Sequence, residues 1–250
     1  MRASGTLNAV DPSQPDLGLI VFARYPKVGA VKTRLAAGVG AIEATELYKS
    51  FVSSTLRECL RCSKAKAYLA LAAPTEDRLL HEWLSENAPP TSFRIIQQSA
   101  SPDLGIRMLQ AMQHAMQAGA AKVVLVGSDI PDLDAGILMN AFRALDRHEI
   151  VFGPARDGGF YLVGARQLHQ HLFRGLTWST PEVLRDAVRQ AEQCGLHVAA
   201  KDTLPCLRDI DTSEDLQHWL HEAGNKSGQQ QMRELAQAAL SRRVIPKPAD

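Results

Sequence analysis

Apolar and polar positions alternate along this chain in two kinds of block. Short, almost wholly apolar runs are separated by longer stretches in which apolar residues recur every three or four positions. The run Leu17-Gly-Leu-Ile-Val-Phe-Ala23 is flanked by polar residues, which predicts a strand buried on both faces. A turn-rich basic segment, 24–34, precedes a predicted long helix over 42–62, where Leu47, Phe51, Ser54, Thr55 and Leu56 fall near one face. The alternation then repeats. Strands are predicted over 67–72, 93–97 and 122–127, and a helix over 75–87 with Thr75 as its N-cap. Another helix, over 103–119, carries Leu104, Met108, Met112, Ala115 and Met116 along its apolar side, methionine at this spacing being core filler.

Strand–helix alternation of this kind implies an α/β domain with a mostly parallel sheet and helices on both faces. The expected organisation is a flexible tail over 1–16, one catalytic domain over 17–224, and a polar, Gln-rich segment over 225–250 holding one amphipathic helix. Neither repeats nor low-complexity tracts interrupt this order. Lys plus Arg number 28 against 27 for Asp plus Glu, so the basic excess expected of a nucleic-acid binder is missing. A small phosphate-bearing ligand needs only a local cluster of positive charge. Cys59, Cys62, Cys194 and Cys206 match no metal-ligand spacing and read as reduced thiols. No apolar run approaches the roughly 18 residues of a membrane span, and 1–16 lacks the apolar centre of a signal peptide. The expected compartment is the cytoplasm, and the apolar faces could serve a core or a homodimer equally well.

Four segments carry chemistry. Arg24, Lys27, Lys32 and Arg34 surround a Pro and a Gly directly after the first strand, where open α/β sheets bind ligands and where anions find charge-assisted hydrogen bonds. The spacing is that of neither a P-loop nor a dinucleotide fingerprint. In Gly127-Ser-Asp-Ile-Pro-Asp-Leu133, Asp129 projects just beyond a buried strand as a hard oxygen ligand suited to Mg²⁺, whereas Asp132 is expected to cap the helix over 133–145. Asp157-Gly158-Gly159 reads equally as a hairpin turn or as a carboxylate facing a pocket with room left by the glycines. In Arg208-Asp-Ile-Asp-Thr-Ser-Glu-Asp-Leu216, Thr212 or Ser213 starts a helix, and either Asp209 or Asp211 could bring a second carboxylate to a metal. A further helix should open at Trp178-Ser-Thr-Pro181, with Ser179 or Thr180 as cap and Pro181 in its first turn. The histidines are scattered and none is assigned to a metal or base.

Taken in order, Phe-Ala-Arg-x-Pro-x-x-Gly-x-Val-Lys-Thr-Arg-Leu (22–35), Asp-Leu-Gly-x-Arg-Met (103–108), Gly-Ser-Asp-Ile-Pro-Asp-Leu (127–133), Gly-Pro-Ala-x-Asp-Gly-Gly-Phe-Tyr-Leu-Val-Gly (153–164) and Trp-Ser-Thr-Pro (178–181) form a recognisable set. Over 17–220 the chain resembles the bacterial family catalogued as domain of unknown function 2064, described as GT-A-type glycosyltransferases, some associated with arsenosugar biosynthesis. The resemblance implies a GT-A fold, a nucleotide-diphospho-sugar-binding αβα sandwich around a mixed, mostly parallel sheet. The motifs are also similar to those of molybdenum-cofactor and phospholactate nucleotidyltransferases. By resemblance, Ala23, Arg24, Lys27, Lys32 and Arg34 belong to the substrate site, with Arg24, Lys32 and Arg34 on phosphates. Leu104 and Gly105 would lie near base or ribose, Gly158, Gly159 and Trp178 near substrate, and Asp129 with Asp211 on Mg²⁺ or Mn²⁺. Pro102 and Ile106 depart from the family pattern, which has Gly and Glu there.

Three functions follow. In the first, a glycosyl group moves from a nucleotide-diphosphate sugar to a small-molecule acceptor, with Asp157 as the base and Lys32 among the catalytic groups that steady developing charge. In the second, a nucleoside triphosphate donates its nucleoside monophosphate to a phosphate-bearing small molecule. In the third, the protein binds nucleotides without catalysis. An acidic and a basic half of one site argue against the third. Ala23-Arg24-Tyr25-Pro26, in place of the glycine-rich loop usual in such nucleotidyltransferases, favours the first.

Overall fold

The computed structural model describes residues 16–72, 82, 84, 92–222 and 229–242. The tail over 1–15 lies outside them, as does the helix expected over 75–87, apart from residues 82 and 84. Six strands form one sheet: β1 (Leu17–Ala23), β2 (Ala65–Leu71), β3 (Arg94–Gln97), β4 (Lys122–Gly127), β5 (Ile150–Pro154) and β6 (Phe160–Ala165). Their order is β3-β2-β1-β4-β6-β5. The first four pair in parallel, and β6 runs antiparallel between β4 and β5. The mixed, mostly parallel α/β sheet expected from the sequence is therefore what the chain forms.

Alternation along the strands explains why both faces are covered. Leu19 and Val21 of β1, Leu69 and Leu71 of β2, and Val124 and Val126 of β4 point into one core. Ile20, Tyr68, Ala70, Val123 and Leu125, one position out of phase, point into the other. The first core is closed by α2 (Ala41–Arg61) through Tyr48, Val52 and Leu56, and by α4 (Ala135–Ala144) through Leu138 and Phe142. The second is closed by α3 (Leu104–Gln117) through Met108 and Met112, and by α5 (Val183–Gln193) through Leu184 and Ala187.

A third cluster forms behind α2. Leu47 and Phe51, on its far side from the sheet, meet Leu35 and Val39 of α1 (Thr33–Val39), Leu216 and Trp219 of α6 (Ser213–Glu222), and Met232 and Ala236 of α7 (Gln230–Ser241). The helix expected within 225–250 is thus α7, and it is packed into the same body as α2. Fully burying one such large apolar side chain stabilises the fold by roughly 1.5–3 kcal/mol, so this layer holds α1 and α6 firmly behind the segments that approach the site.

Several local expectations are corrected. The segment over 24–34 does not remain a loop to its end, because α1 begins at Thr33. The cap of α4 is Asp134, whose carboxylate accepts the Ile137 N–H at 2.9 Å, and not Asp132. Pro131 and Asp132 lie in the turn that still separates the strand end from the helix. Neither Ser179 nor Thr180 caps α5, which starts two residues beyond Pro181 with Glu182 at the cap position and no side-chain bond. Ser179 sits instead at φ 63 and Thr180 bonds back to the Thr177 carbonyl. At α6, Thr212 and Asp215 form a reciprocal capping box, each side chain bonding the other's N–H at 3.1 and 2.9 Å. All four cysteines are free thiols.

Candidate active site

The carboxyl ends of β1 and β4 are adjacent because these strands pair in parallel, Phe22 opposite Gly127. The chain leaving each strand therefore enters one space, as the general rule for open α/β sheets requires. Tyr48 of α2 ties the two exits together. The Arg24 N–H donates to its phenolic oxygen at 2.8 Å, and that oxygen lies 3.3 Å from the Ser128 hydroxyl. The cavity between these exits has a volume of about 470 Å³.

A third segment closes the acidic side. After α5, the chain returns along the edge of β5, where Val198 bridges Ile150 and Leu207 bridges Ala155. Its last contact is the Ile210 N–H donating to the Asp129 carbonyl at 3.1 Å. That bond places Asp209 and Asp211 on either side of a buried Ile210, at the rim of the cavity beside Asp129. Asp157 reaches the same rim from the β5–β6 turn, with one carboxylate oxygen accepting the Gly159 N–H at 2.8 Å. Asp157 thus belongs to the turn and also lines the cavity.

Lys32 stands at the centre of this cluster. Its ammonium lies 2.6 Å from Asp129 Oδ2 and 2.7 Å from Asp211 Oδ1, and its side chain is only 7% exposed. The residue occupies the left-handed region at φ 48 and ψ 45, immediately before α1. That conformation costs a non-glycine residue about 1–2 kcal/mol and is maintained here by two charged hydrogen bonds. Burial works against the ammonium, but Asp129 and then Asp211 outweigh it and raise its pKa. For Asp211, burial opposes ionisation, yet Lys32 and Arg34 win and hold the carboxyl below its ordinary value. Arg34 reaches Asp211 at 3.4 Å from an exposed position.

Among the described residues, Asp209 has no such partner. Burial first, then the charges of Asp157, Asp211 and Asp129, push its carboxyl up to about 7. Four carboxylates thus share a region with one buried ammonium, and the negative excess appears in Asp209.

The same cavity has basic and aromatic lining as well. It carries Arg24, Arg107, Gln98, Leu104 and Trp178. Of the residues expected at the site, Ala23, Arg24, Lys32, Arg34, Leu104, Asp129, Asp157, Gly159, Trp178 and Asp211 line this cavity. Lys27, Gly105 and Gly158 do not. Lys27 is exposed beyond the strand end. Gly105 is packed under Phe173, where a Cβ would stand 2.5 Å from that side chain. Gly158 faces a second cavity of about 620 Å³ beside Leu184 and Arg185. Its φ is +92, and a Cβ there would meet the Pro181 carbonyl oxygen at 2.1 Å. The sequence left Tyr48, Gln98 and Arg107 without a role, and offered Asp209 only as an alternative to Asp211. Gln98 directly follows β3 and Arg107 sits in the Asp-Leu-Gly-x-Arg-Met motif, so position after a strand was the available signal for the first.

The donor set suits a hard divalent cation, being all carboxylate and carrying more negative charge than Lys32 neutralises. Among the described residues, however, no three acidic, histidine or cysteine side chains are drawn together as a ready cage. Lys32 holds the position between Asp129 and Asp211 that a cation bound to both would take.

The fold is that of the transferases built on the nucleotide-diphospho-sugar-binding α/β frame. The chain belongs to the family described as uncharacterized protein conserved in bacteria (DUF2064), which matches residues 55–180. It is 31% identical to a protein from Desulfovibrio desulfuricans G20 provisionally named a nucleotide-diphospho-sugar transferase, with a TM-score of 0.80 over 91% of this chain and 98% of that one. A cytidylyltransferase from Leptospira borgpetersenii shares the fold at 15% identity and a TM-score of 0.51, over 95% of this chain and 100% of that one. A 4-diphosphocytidyl-2C-methyl-D-erythritol synthase from Anaerococcus prevotii does so at 11% and 0.50, over 80% and 94%. No curated protein matches the chain. Among the described residues no helix is long and apolar enough to cross a membrane.

Proposed function

We propose that the protein transfers a glycosyl group from a nucleotide-diphosphate sugar to a small-molecule acceptor. The observation that carries this reading is a single cavity at the carboxyl ends of β1 and β4 lined both by Arg24 and Arg107 and by Asp129, Asp157, Asp209 and Asp211. Such a cavity can hold a phosphate chain on one side and take a proton from a hydroxyl on the other. The likeness to the Desulfovibrio protein supports the sugar-nucleotide donor.

Asp157 is the base in this scheme. Its carboxylate is oriented by the Gly159 N–H and is otherwise exposed on the rim, where an acceptor hydroxyl can approach. Lys32 offsets part of the charge of Asp129 and Asp211 and so weakens their repulsion of the donor's diphosphate. Asp129 and Asp211 are the residues that would hold Mg²⁺ or Mn²⁺. A divalent ion bound there would supply positive charge to the leaving diphosphate. Trp178 and Leu104 offer apolar surface to a base or sugar.

Thermal unfolding with nucleoside mono-, di- and triphosphates and nucleotide-diphosphate sugars, each with and without Mg²⁺ or Mn²⁺, tests the reading, because a ligand of the native state raises stability by mass action. Stabilisation by diphosphates and their sugars is expected. Stabilisation by triphosphates alone would replace glycosyl with nucleotidyl transfer. No stabilisation by any of them would leave a non-catalytic protein.

A further inference from the structure

We propose that Arg24 and Arg107 are the phosphate-binding pair of the cavity, with Arg107 its anchored member, and that Lys32 and Arg34 are not phosphate ligands. This deepens the transferase reading and rests on it for the identity of the donor, but not for the binding of phosphate itself.

Charge pairing within the cavity carries the inference. Four cations line it: Arg24, Lys32, Arg34 and Arg107. Lys32 and Arg34 are already committed to Asp129 and Asp211. Recruiting Lys32 to a phosphate would break two short charged contacts around a buried ammonium. Among the described residues, neither Arg24 nor Arg107 is within ion-pair distance of a carboxylate.

Arg107 is nevertheless held firmly. Its Nη1 donates to Gln98 Oε1 at 2.9 Å. The Gln98 amide nitrogen in turn donates to the Ala23 and Ala70 carbonyls at 3.0 and 2.9 Å, so the amide is locked across the ends of β1 and β2. A neutral acceptor orients the guanidinium without cancelling its charge. Asp103, the acid nearest in effect, is spent on the N-terminus of α3, where it accepts the Ile106 N–H. Arg107 Nε is buried and has no partner. Burial, and then the like charge of Arg24, lower the Arg107 pKa. Two guanidiniums lining one cavity, one of them with an unused buried N–H, form a site short of one anion. The planar fork of arginine matches phosphate oxygens in pairs, which suits a phosphate group from either a nucleotide or a phosphorylated acceptor.

Inorganic pyrophosphate, without metal, is the probe, and thermal unfolding of the full chain is the readout. Arg107→Met and Arg24→Met are expected to bind pyrophosphate at least tenfold more weakly than wild type, and Arg34→Met less than twofold more weakly. Should Arg107→Met perturb folding, Arg24→Met, at an exposed position, still carries the test, and Arg107→Lys should fall between the extremes. Unchanged binding in both Arg24→Met and Arg107→Met, or equal loss in Arg34→Met, would overturn the assignment. Calorimetry with a nucleoside and its diphosphate separates the sources. Loss confined to the diphosphate assigns the pair to the nucleotide, and loss for pyrophosphate alone assigns it to the acceptor's phosphate. Pyrophosphate binding through the pair with no nucleotide binding at all would end the sugar-nucleotide reading and leave the pair standing.

Discussion

Asp209→Asn should stabilise this protein at alkaline pH and much less so at acid pH. The wild-type carboxyl is pushed from an ordinary 3.8 up to about 7 by burial and by Asp157, Asp211 and Asp129. Between these two values the folded chain holds a proton that the unfolded chain has released, so stability falls as pH rises through that window and levels off above it. A displacement of about three units at about 1.36 kcal/mol per unit would amount to about 4 kcal/mol. Asp209 keeps partial contact with solvent, and screening reduces this to about 2 kcal/mol. For a chain of this size that corresponds to roughly 4–8 °C in Tm. Thermal unfolding of wild type and Asp209→Asn at pH 5 and pH 8 reads the effect directly. The variant should melt higher at both values, by roughly a third as much at pH 5 as at pH 8, because pH 5 lies only part of the way through the window. An equal difference at both pH values, or a variant less stable at pH 8, would show that Asp209 is not the residue that bears the negative excess of the site.

Lys32→Met removes the ammonium shared by Asp129 and Asp211, and a cost of about 2 kcal/mol at pH 7 is expected, below the usual figure for a buried pair because both acids are about one-third exposed. Because Lys32 lowers the Asp211 pKa, its stabilisation is present above the ordinary carboxylate range and is lost as pH falls through the folded value. Denaturant titrations should therefore find the deficit at pH 7 shrinking toward pH 3. Asp134→Ala removes the α4 cap and should cost about 1 kcal/mol, visible as a uniform drop in Tm with nucleotide affinity unchanged. Gly158→Ala forces a Cβ against the Pro181 carbonyl at φ +92 and should cost at least about 2 kcal/mol. A variant as stable as wild type would show that the turn is free to move away from α5.

Much of this protein is written locally. Buried strands of a mostly parallel sheet announce themselves as unbroken apolar runs, because both of their faces are covered, and β1 and β4 were legible for that reason. Helices α2 and α3 were legible from their period, and the acid after β4 from its place beyond a strand that can no longer pair. Capping was less legible. Asp132 and Asp134 are chemically alike, and the choice between them depends on the backbone path of the turn over 131–134, which no propensity encodes. The inward turn of Lys32 was hidden for the same reason, since its left-handed backbone is maintained by two carboxylates lying 97 and 179 residues away in the chain.

What the sequence alone determined, then, is the layered α/β architecture and the set of charged residues that gather at one edge of the sheet. Which charges meet was decided by tertiary structure. The return of the chain along β5 and the Ile210–Asp129 backbone bond bring Asp209 and Asp211 beside Asp129. The basic loop after β1 is thereby divided: Lys32 and Arg34 are drawn to the acids, and Arg24 lines the same cavity with no ion pair among the described residues. The physical reason is that pattern and propensity act over one turn or one strand, whereas Coulomb energy depends on separation in space, which the paths of four distant segments set together.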